Sequence, residues 1–282
     1  GRRTNRSLGL QSIIWWAMNT NFSVDGKVVV ITGGSGTICS AIGRGMAAAG
    51  AKIVLINRRQ ANGQAVADEI IAAGGDAIAL SADVLDKPSL TVALEAVLKK
   101  YGKVDVLING AGGNHPDATV NKDHDFFELE AQAFKNVLNL NVTGAFLASQ
   151  VFGKIMAEKG EGVIINIGSM TSYLPLTNVV AYSAAKAATL SFTQWLATHF
   201  NQNYSTRIRV NAIAPGFLIG EQNRTLLQNS DGTPTIRGKK ILAKTPMARY
   251  AGPEEMVGAV IFLCSEAASF INGVCLPIDG GF

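Results

Sequence analysis

Short apolar runs alternate with longer mixed segments along most of the chain. Seven of the runs predict strands, and most of them are continuous and lack a polar face, as expected for strands covered on both sides. They comprise residues 27–32, 52–57, 77–80, 104–108, 162–168, 207–213 and 274–278. The segments between them predict helices at residues 38–49, 61–73, 88–101, 131–158, 179–204 and 253–264.

This alternation predicts an α/β fold with a single Rossmann-like domain. Helices would cover both faces of a doubly wound, seven-stranded parallel sheet. The domain would span residues 18–282, because no repeat or low-complexity linker divides them. Residues 214–252 lack a clear strand and are too long for a simple connection, so we expect them to form a substrate lid.

The first 17 residues differ in composition from the rest. They combine three arginines with a short apolar stretch, and Met18 follows them as a natural start. We interpret residues 1–17 as a leader foreign to the domain. Its apolar stretch is shorter than the ~7–15 residues of a signal-peptide core and far below the ~20 that cross a bilayer, so we expect no membrane partner. An amphipathic anchor remains an alternative.

Composition and charge narrow the function. The 282 residues are 48% hydrophobic and 16% charged, which suits a large buried core. Without the three leader arginines, the chain has 22 basic and 21 acidic residues. This nearly neutral net charge gives no electrostatic support for a nucleic-acid partner, so we expect none. The three cysteines form no C-x-x-C pair, which favours reduced thiols in a cytoplasmic protein without a metal site.

A glycine-rich turn directly follows the first predicted strand and opens the first helix. Its backbone N–H groups and the helix N-terminus suit the pyrophosphate of a dinucleotide. The candidate cofactor-binding residues here are Gly33, Ser35, Gly36, Thr37 and Ile38. The alternative is an ordinary tight turn in which the glycines supply positive φ angles.

The ends of the next strands carry further candidates for cofactor contacts. Asn57 is neutral and Arg58 is cationic where an acidic residue would bind the adenosine ribose, so NADP is favoured over NAD. A solvated strand end is the alternative. Asp83, with Val84 beside it, is placed to accept a hydrogen bond from adenine. The run Asn109, Gly110 and Ala111 comes after the fourth strand, and its small residues would let the backbone approach the cofactor.

The catalytic candidates lie in the second half of the chain. Tyr182 and Lys186 are four residues apart, so they share one helix face, and the ammonium would lower the pKa of the phenol. Tyr182 would then act as the acid or base. Ser169, at the end of the fifth strand, would donate a hydrogen bond to the reacting oxygen. Asn141 would orient a water that relays the proton.

Over residues 22–282 the chain resembles the short-chain dehydrogenase/reductase family. The resemblance rests on Thr32-Gly33, Asn109-Gly110-Ala111-Gly112, Asn141, Ser169, Tyr182-x-x-x-Lys186, Pro215-Gly216 and Asp279-Gly280-Gly281. It implies NAD(P)-dependent oxidoreduction of an alcohol or ketone. It also implies cofactor contacts by Tyr182, Lys186, Pro215 and Gly216, and a homotetramer. Thr37 and Cys39 replace glycines that are common in the family.

Three residues predict the substrate class. Asn114 and His115 follow the fourth strand, where the family builds one wall of its pocket, and Arg224 lies on the expected lid. The runs Gly-Gly-Asn-His-Pro and Gln-Asn-Arg resemble the D-mannonate oxidoreductase (fructuronate reductase) branch. An arginine fork suits the carboxylate of a sugar acid, and Asn and His suit its hydroxyls. Alternatives are a gluconate 5-dehydrogenase, a 3-oxoacyl thioester reductase and a non-catalytic dinucleotide sensor.

Overall fold

The structure is a computed structural model. It describes residues 22–122, 124–176, 178–220 and 224–282. The predicted leader at residues 1–17 and the lid residues Gln222 and Asn223 lie outside these ranges.

Strands and helices alternate through the described residues. The strands are β1 (Val28–Thr32), β2 (Lys52–Asn57), β3 (Asp76–Ser81), β4 (Val106–Asn109), β5 (Gly162–Ile167), β6 (Ile208–Pro215) and β7 (Cys275–Ile278). The α-helices are α1 (Thr37–Ala48), α2 (Gln60–Ala72), α3 (Lys87–Tyr101), α4 (Ala131–Leu138), α5 (Gly144–Lys159), α6 (Val180–Asn203), α7 (Arg224–Leu227), α8 (Ile236–Lys244) and α9 (Val257–Cys264).

The seven described strands form one parallel sheet in the order β3-β2-β1-β4-β5-β6-β7. The predicted Rossmann-like fold is therefore confirmed. The chain leaves β1 toward β2 on one side and returns to β4 on the other. This topological switch point, at the carboxyl ends of the strands, is where such sheets bind ligands.

Two of the predicted boundaries were wrong. The expected helix at residues 131–158 is interrupted by a π-helical turn, Asn139–Thr143, which separates α4 from α5. The region expected to be a lid begins later than residue 214, because β6 continues through Pro215 and pairs with β7. Two short helices, α7 and α8, lie within that region.

The core explains why the strands lack a polar face. In β1, Val29 and Ile31 join one hydrophobic cluster, and Val28 and Val30 join a second cluster on the opposite face of the sheet. Successive strand side chains point to opposite faces, and helices cover both faces here, so most strand positions are apolar. No helix in the described ranges is long and apolar enough to cross a membrane.

A buried carboxylate joins three elements at the amino-terminal edge of the sheet. Asp105 accepts a hydrogen bond from the N–H of Val28 at 2.8 Å. Its oxygens also lie 2.7 Å from the ammonium of Lys159 and 2.8 Å from that of Lys103. Burial raises the pKa of the Asp105 carboxyl, but these donors lower it more, so the pKa lies below its ordinary value.

We expect Asp105→Asn to lower the free energy of unfolding by about 2–4 kcal/mol at pH 7, because two ammonium groups lose their partner. Since the folded pKa is depressed, the stabilisation is complete above the ordinary value of about 3.9 and is lost as the pH falls through the folded pKa. Urea unfolding from pH 3 to pH 7 measures it. The half-exposed Asp76 is the control, and Asp76→Asn should cost under about 1 kcal/mol.

Candidate active site

The glycine-rich turn packs directly against the end of β4. Gly33 has a φ of +65°, and a Cβ there would lie 2.8 Å from the Cα of Ala111. Its N–H donates to the carbonyl of Ile56 at 2.8 Å. Helix α1 then begins at Thr37, and the preceding Gly36 has no side chain over the first N–H groups of the helix. This exposed, positively polarised terminus suits a phosphate group.

Asn57 and Ser35 connect the end of β2 to this turn. The amide of Asn57 donates to the Ser35 hydroxyl at 2.8 Å. The Oδ1 atom of Asn57 is buried and has no hydrogen-bond partner among the described residues. Arg58, the next residue, is exposed. The unpaired Asn57 oxygen and the exposed Arg58 guanidinium follow one another at the end of β2, beside the glycine-rich turn. Both groups fit the adenosine end of a dinucleotide.

Asp83 and Val84 follow β3 at the same edge of the sheet. One carboxylate oxygen of Asp83 accepts from the N–H of Leu85 at 2.9 Å, so the side chain also stabilises its own turn. Val84 is 5% exposed and packs against Gly144, where a Cβ would lie 2.8 Å from its Cγ2 atom. A contact of either residue with adenine stays a prediction.

The end of β4 is held by Thr32, which the sequence analysis named in a family motif without giving it a role. The hydroxyl of Thr32 accepts from the N–H groups of Gly110 at 3.1 Å and Ala111 at 3.2 Å. Gly110 must lack a side chain, because a Cβ there would overlap the sulfur of Cys39. Thr32 lies directly before the first glycine of the turn, and this position was the only available signal for its role.

The side chain of Asn109 points into the protein interior. Its amide donates to Asn166 at 2.8 Å and to Ser149 at 3.0 Å, and Asn166 donates to Thr193 at 2.9 Å. This buried network links β4 and β5 to α5 and α6. The expectation for Asn109 concerned an approach of the backbone to the cofactor, and it stays a prediction.

Tyr182, Lys186 and Ser169 come together at the carboxyl end of β5. The ammonium of Lys186 donates to the carbonyl of Ile167 at 2.7 Å and lies 5.4 Å from the centroid of the Tyr182 ring. Ser169 forms a hydrogen bond with the Tyr182 hydroxyl. The turn after Ser169 is tied to the same helix, because Ser172 donates to the Lys186 carbonyl at 2.9 Å.

The expected direction of the Tyr182 pKa shift was wrong. Burial raises the pKa of the phenol, and the hydrogen bond from Ser169 lowers it only in part. The ammonium lies over the ring and bonds to a backbone carbonyl, so its effect on the phenol oxygen does not dominate. Burial also lowers the pKa of Lys186 to about 8. At neutral pH the phenol therefore keeps a proton that it can donate.

Asn141 lies in the π-helical turn, next to this cluster. It is 3% exposed, its amide donates to the Gly113 carbonyl at 2.7 Å, and its oxygen accepts from the Gly113 N–H at 3.0 Å. A Cβ on Gly112 would lie 2.5 Å from this oxygen and 3.5 Å from the Lys186 ammonium. The Asn141 oxygen and the Lys186 ammonium thus lie on the same side of Gly112, close to each other. π-Helical turns often occur at functional sites.

Pro215 and Gly216 end β6 at the same edge of the sheet. The Gly216 N–H donates to the Ile278 carbonyl at 2.9 Å, and a Cβ on Gly216 would lie 2.6 Å from the Cα of Asp279. Further along the chain, a Cβ on Gly220 would lie 3.0 Å from the Thr37 hydroxyl oxygen. The residues that follow β6 therefore run beside the glycine-rich turn, and their role as a lid stays a prediction.

The structure does not bring the three substrate candidates into contact with the catalytic cluster. Asn114 donates to the Thr119 hydroxyl at 2.7 Å. The Nδ1 atom of His115 accepts from the Asp117 N–H at 3.3 Å, and its side chain is 60% exposed. Both bonds shape the loop after β4. Arg224 is exposed at the start of α7. Their substrate roles stay predictions.

Known proteins share this arrangement. A family model for short chain dehydrogenases matches residues 27–230. The chain belongs to the short-chain dehydrogenase family. It is 50% identical to an uncharacterized oxidoreductase, UxuB, from Bacillus subtilis (strain 168), over 91% of this chain and 95% of the relative. The protein is an NAD(P)-dependent oxidoreductase of alcohol and ketone groups.

Two solved structures are similar over nearly the whole chain. One is a proposed D-mannonate oxidoreductase from Haemophilus influenzae with bound NAD. It is 42% identical, has a TM-score of 0.86, and the match covers 92% of this chain and 96% of that one. The other is a proposed NAD(P)-dependent gluconate 5-dehydrogenase from Beutenbergia cavernae with bound NADP at low occupancy. It is 35% identical, has a TM-score of 0.80, and the match covers 92% and 98% of the two chains.

We expect Tyr182→Phe to lower kcat by about 10²–10⁴-fold, because it removes the proton donor while the ring remains. Steady-state kinetics measures the loss, and fluorescence titration should show that NADPH still binds. Tyr101 is the matched control, because its hydroxyl bonds to Asp76 at 2.8 Å on a remote edge of the sheet. Activity that survived Tyr182→Phe, or fell equally in Tyr101→Phe, would contradict the assignment.

Proposed function

We propose that the protein reduces D-fructuronate to D-mannonate with NADPH or NADH and catalyses the reverse oxidation. The observation that carries the chemistry is the convergence of Ser169, Tyr182 and Lys186 at the carboxyl edge of the sheet. Two features support the substrate. The relative from Haemophilus influenzae is named for D-mannonate, and Arg224 offers an exposed guanidinium on the lid, which suits a sugar-acid carboxylate.

In this proposal, a bound nicotinamide cofactor would supply the hydride that reduces the ketone carbon. Ser169 donates a hydrogen bond to the ketone oxygen, and Tyr182 transfers its proton to that oxygen as negative charge develops there. The Lys186 ammonium stabilises the resulting phenolate. Asn141 orients the water that returns a proton to Tyr182. In the oxidation these steps run in reverse, with the phenolate as the base.

The adenosine site decides between the two cofactors. Gly33, Ser35, Gly36, Thr37 and Ile38 would hold the pyrophosphate. Neutral Asn57 offers no repulsion to a 2′-phosphate, and the exposed Arg58 guanidinium can pair with it, so we favour NADP over NAD. The two similar structures hold NAD in one case and NADP in the other.

A panel of ketones tests the substrate. Purified protein should consume NADPH fastest with D-fructuronate, more slowly with 5-ketogluconate, and slowest with a 3-oxoacyl thioester. The measurement is the loss of nicotinamide absorbance, repeated with NADH to rank the cofactors. Robust turnover of 5-ketogluconate without turnover of D-fructuronate would contradict the proposal and favour a gluconate 5-dehydrogenase.

We expect Arg224→Ala to raise KM for D-fructuronate about tenfold, since it removes a charged partner of the carboxylate, and to leave KM for an uncharged ketone nearly unchanged. Arg237→Ala, which removes one of four exposed cations on α8, is the control and should raise the same KM by less than about twofold. Equal effects on charged and uncharged ketones would exclude Arg224 as the carboxylate ligand.

We also propose that the protein is a homotetramer. The outer faces of α5 and α6 expose large rings, with Phe146 at 42% and Trp195 at 58% exposure, beside a groove that also contains Phe192 and Tyr204. Contiguous exposed apolar surface of this kind is typical of an interface. A monomeric mass in sedimentation equilibrium would contradict this.

The three cysteines are free and buried, which supports the predicted cytoplasmic location.

A further inference from the structure

The residues that follow β7 contact both ends of the lid. The predicted lid, which starts after Gly216, is taken as residues 217–250. We call residues 279–282, Asp279-Gly280-Gly281-Phe282, the clasp. At the first end of the lid, Gly216 packs against the Asp279 backbone so closely that no Cβ would fit between them. At the second end, the Met247 N–H donates to the Gly280 carbonyl at 3.1 Å.

The two glycines of the clasp are required by this packing. Gly280 and Gly281 have φ angles of +67° and +90°, which side chains rarely adopt. A Cβ on Gly280 would lie 3.1 Å from the Cγ2 of Thr245, and one on Gly281 would lie 3.0 Å from the Cγ of Pro246. The chain therefore turns sharply beneath the second end of the lid.

This turn directs Phe282 back toward the catalytic residues. The N–H of Gly281 donates to the Asp279 carboxylate at 3.0 Å, and that of Phe282 donates to the Asp279 carbonyl at 3.4 Å. The ring of Phe282 packs edge-on against Phe217, the first residue of the lid, with centroids 5.2 Å apart.

The Phe282 ring also packs against a hydrophobic cluster beside β6 and β7. This cluster is formed by Met170, Ala212, Ala214 and Cys275, and Leu190 of α6 packs against it as well. Met170 directly follows Ser169, and Phe217 directly follows Gly216. The ring thus contacts Phe217 and a cluster that includes the neighbour of Ser169, and no step of the mechanism above uses it.

We propose that the clasp fixes both ends of the lid against the catalytic edge, and that Phe282 is a positioning residue for the ketone substrate. It acts through Phe217 and the cluster that includes Met170, and it does not contact the reacting atoms. The effect on substrate rests on the proposed function, in which the lid covers the sugar acid. The effect on the lid itself does not, because the packing exists without substrate.

The experiment is limited trypsin digestion of Phe282→Ala, because α8 carries Arg237, Lys239, Lys240 and Lys244 as exposed cleavage sites. Loss of one aromatic pair should speed cleavage within α8 by about threefold to tenfold, since cleavage follows the population of the open form. KM for D-fructuronate should rise by a similar factor while kcat changes by less than about twofold, and Phe282→Tyr should restore both values.

Phe22→Ala is the matched control, because Phe22 packs against Phe262 at 6.1 Å in a ring pair outside the lid and the clasp. Cleavage in α8 that is unchanged in Phe282→Ala, or equally fast in Phe22→Ala, would overturn the proposal. Should Phe282→Ala fail to fold, Gly281→Ala provides a second test, because its Cβ would press on Pro246 and should also speed cleavage.

The two proposals fail separately. Faster cleavage in α8 without any turnover of D-fructuronate would support the clasp and exclude the proposed substrate. Turnover of D-fructuronate with the same KM, and the same cleavage rate, in Phe282→Ala would support the substrate and overturn the clasp. Size-exclusion chromatography with light scattering should show the same assembly for both proteins, and a change in mass would overturn the assignment to lid positioning.

Discussion

A buried ammonium is the constraint around which the catalytic edge is built. Lys186 is 6% exposed, and removal from water lowers its pKa to about 8. A charge in that position needs partners, and the Ile167 carbonyl and the Tyr182 ring provide them. The neighbouring thiol of Cys39 adds no second charge, because burial raises its pKa to about 12. Gly112 leaves the room that Asn141 and Lys186 need.

The same constraint explains the polar interior at the ends of the central strands. A buried cation is useful only if its helix cannot shift, and α6 is tied to the sheet by bonds that apolar packing cannot supply. Asn166 of β5 donates to Thr193, and Thr193 donates to the Thr189 carbonyl one turn earlier. Asn109 of β4 joins the network through Asn166. Directional hydrogen bonds fix both the distance and the rotation of the helix, whereas dispersion contacts tolerate sliding.

The sequence predicted the features that depend on neighbouring residues, and it missed those that depend on distant parts of the chain. Continuous apolar runs predicted all seven strands, because two covered faces impose that pattern at every residue. A spacing of four placed Tyr182 and Lys186 on one face of α6. The direction of the Tyr182 pKa shift was wrong because it depends on burial by distant segments. The inward orientation of Asn109 depends on Asn166 and Ser149, which come from other elements. The π-helical turn at Asn141 has no periodic signal at all.

Substrate choice must then come from outside the catalytic edge. The sheet, the glycine-rich turn and the Ser169–Tyr182–Lys186 cluster can serve any ketone that fits beside a nicotinamide. The predicted lid lies outside that edge, and its helix α8 exposes four cations, Arg237, Lys239, Lys240 and Lys244. None of the four pairs with a carboxylate within the part of the chain that the structure describes. Unpaired charges of one sign raise the local concentration of the opposite sign. Under the proposed function, the four charges together would attract the sugar acid before any specific contact forms, and no single one of them would dominate.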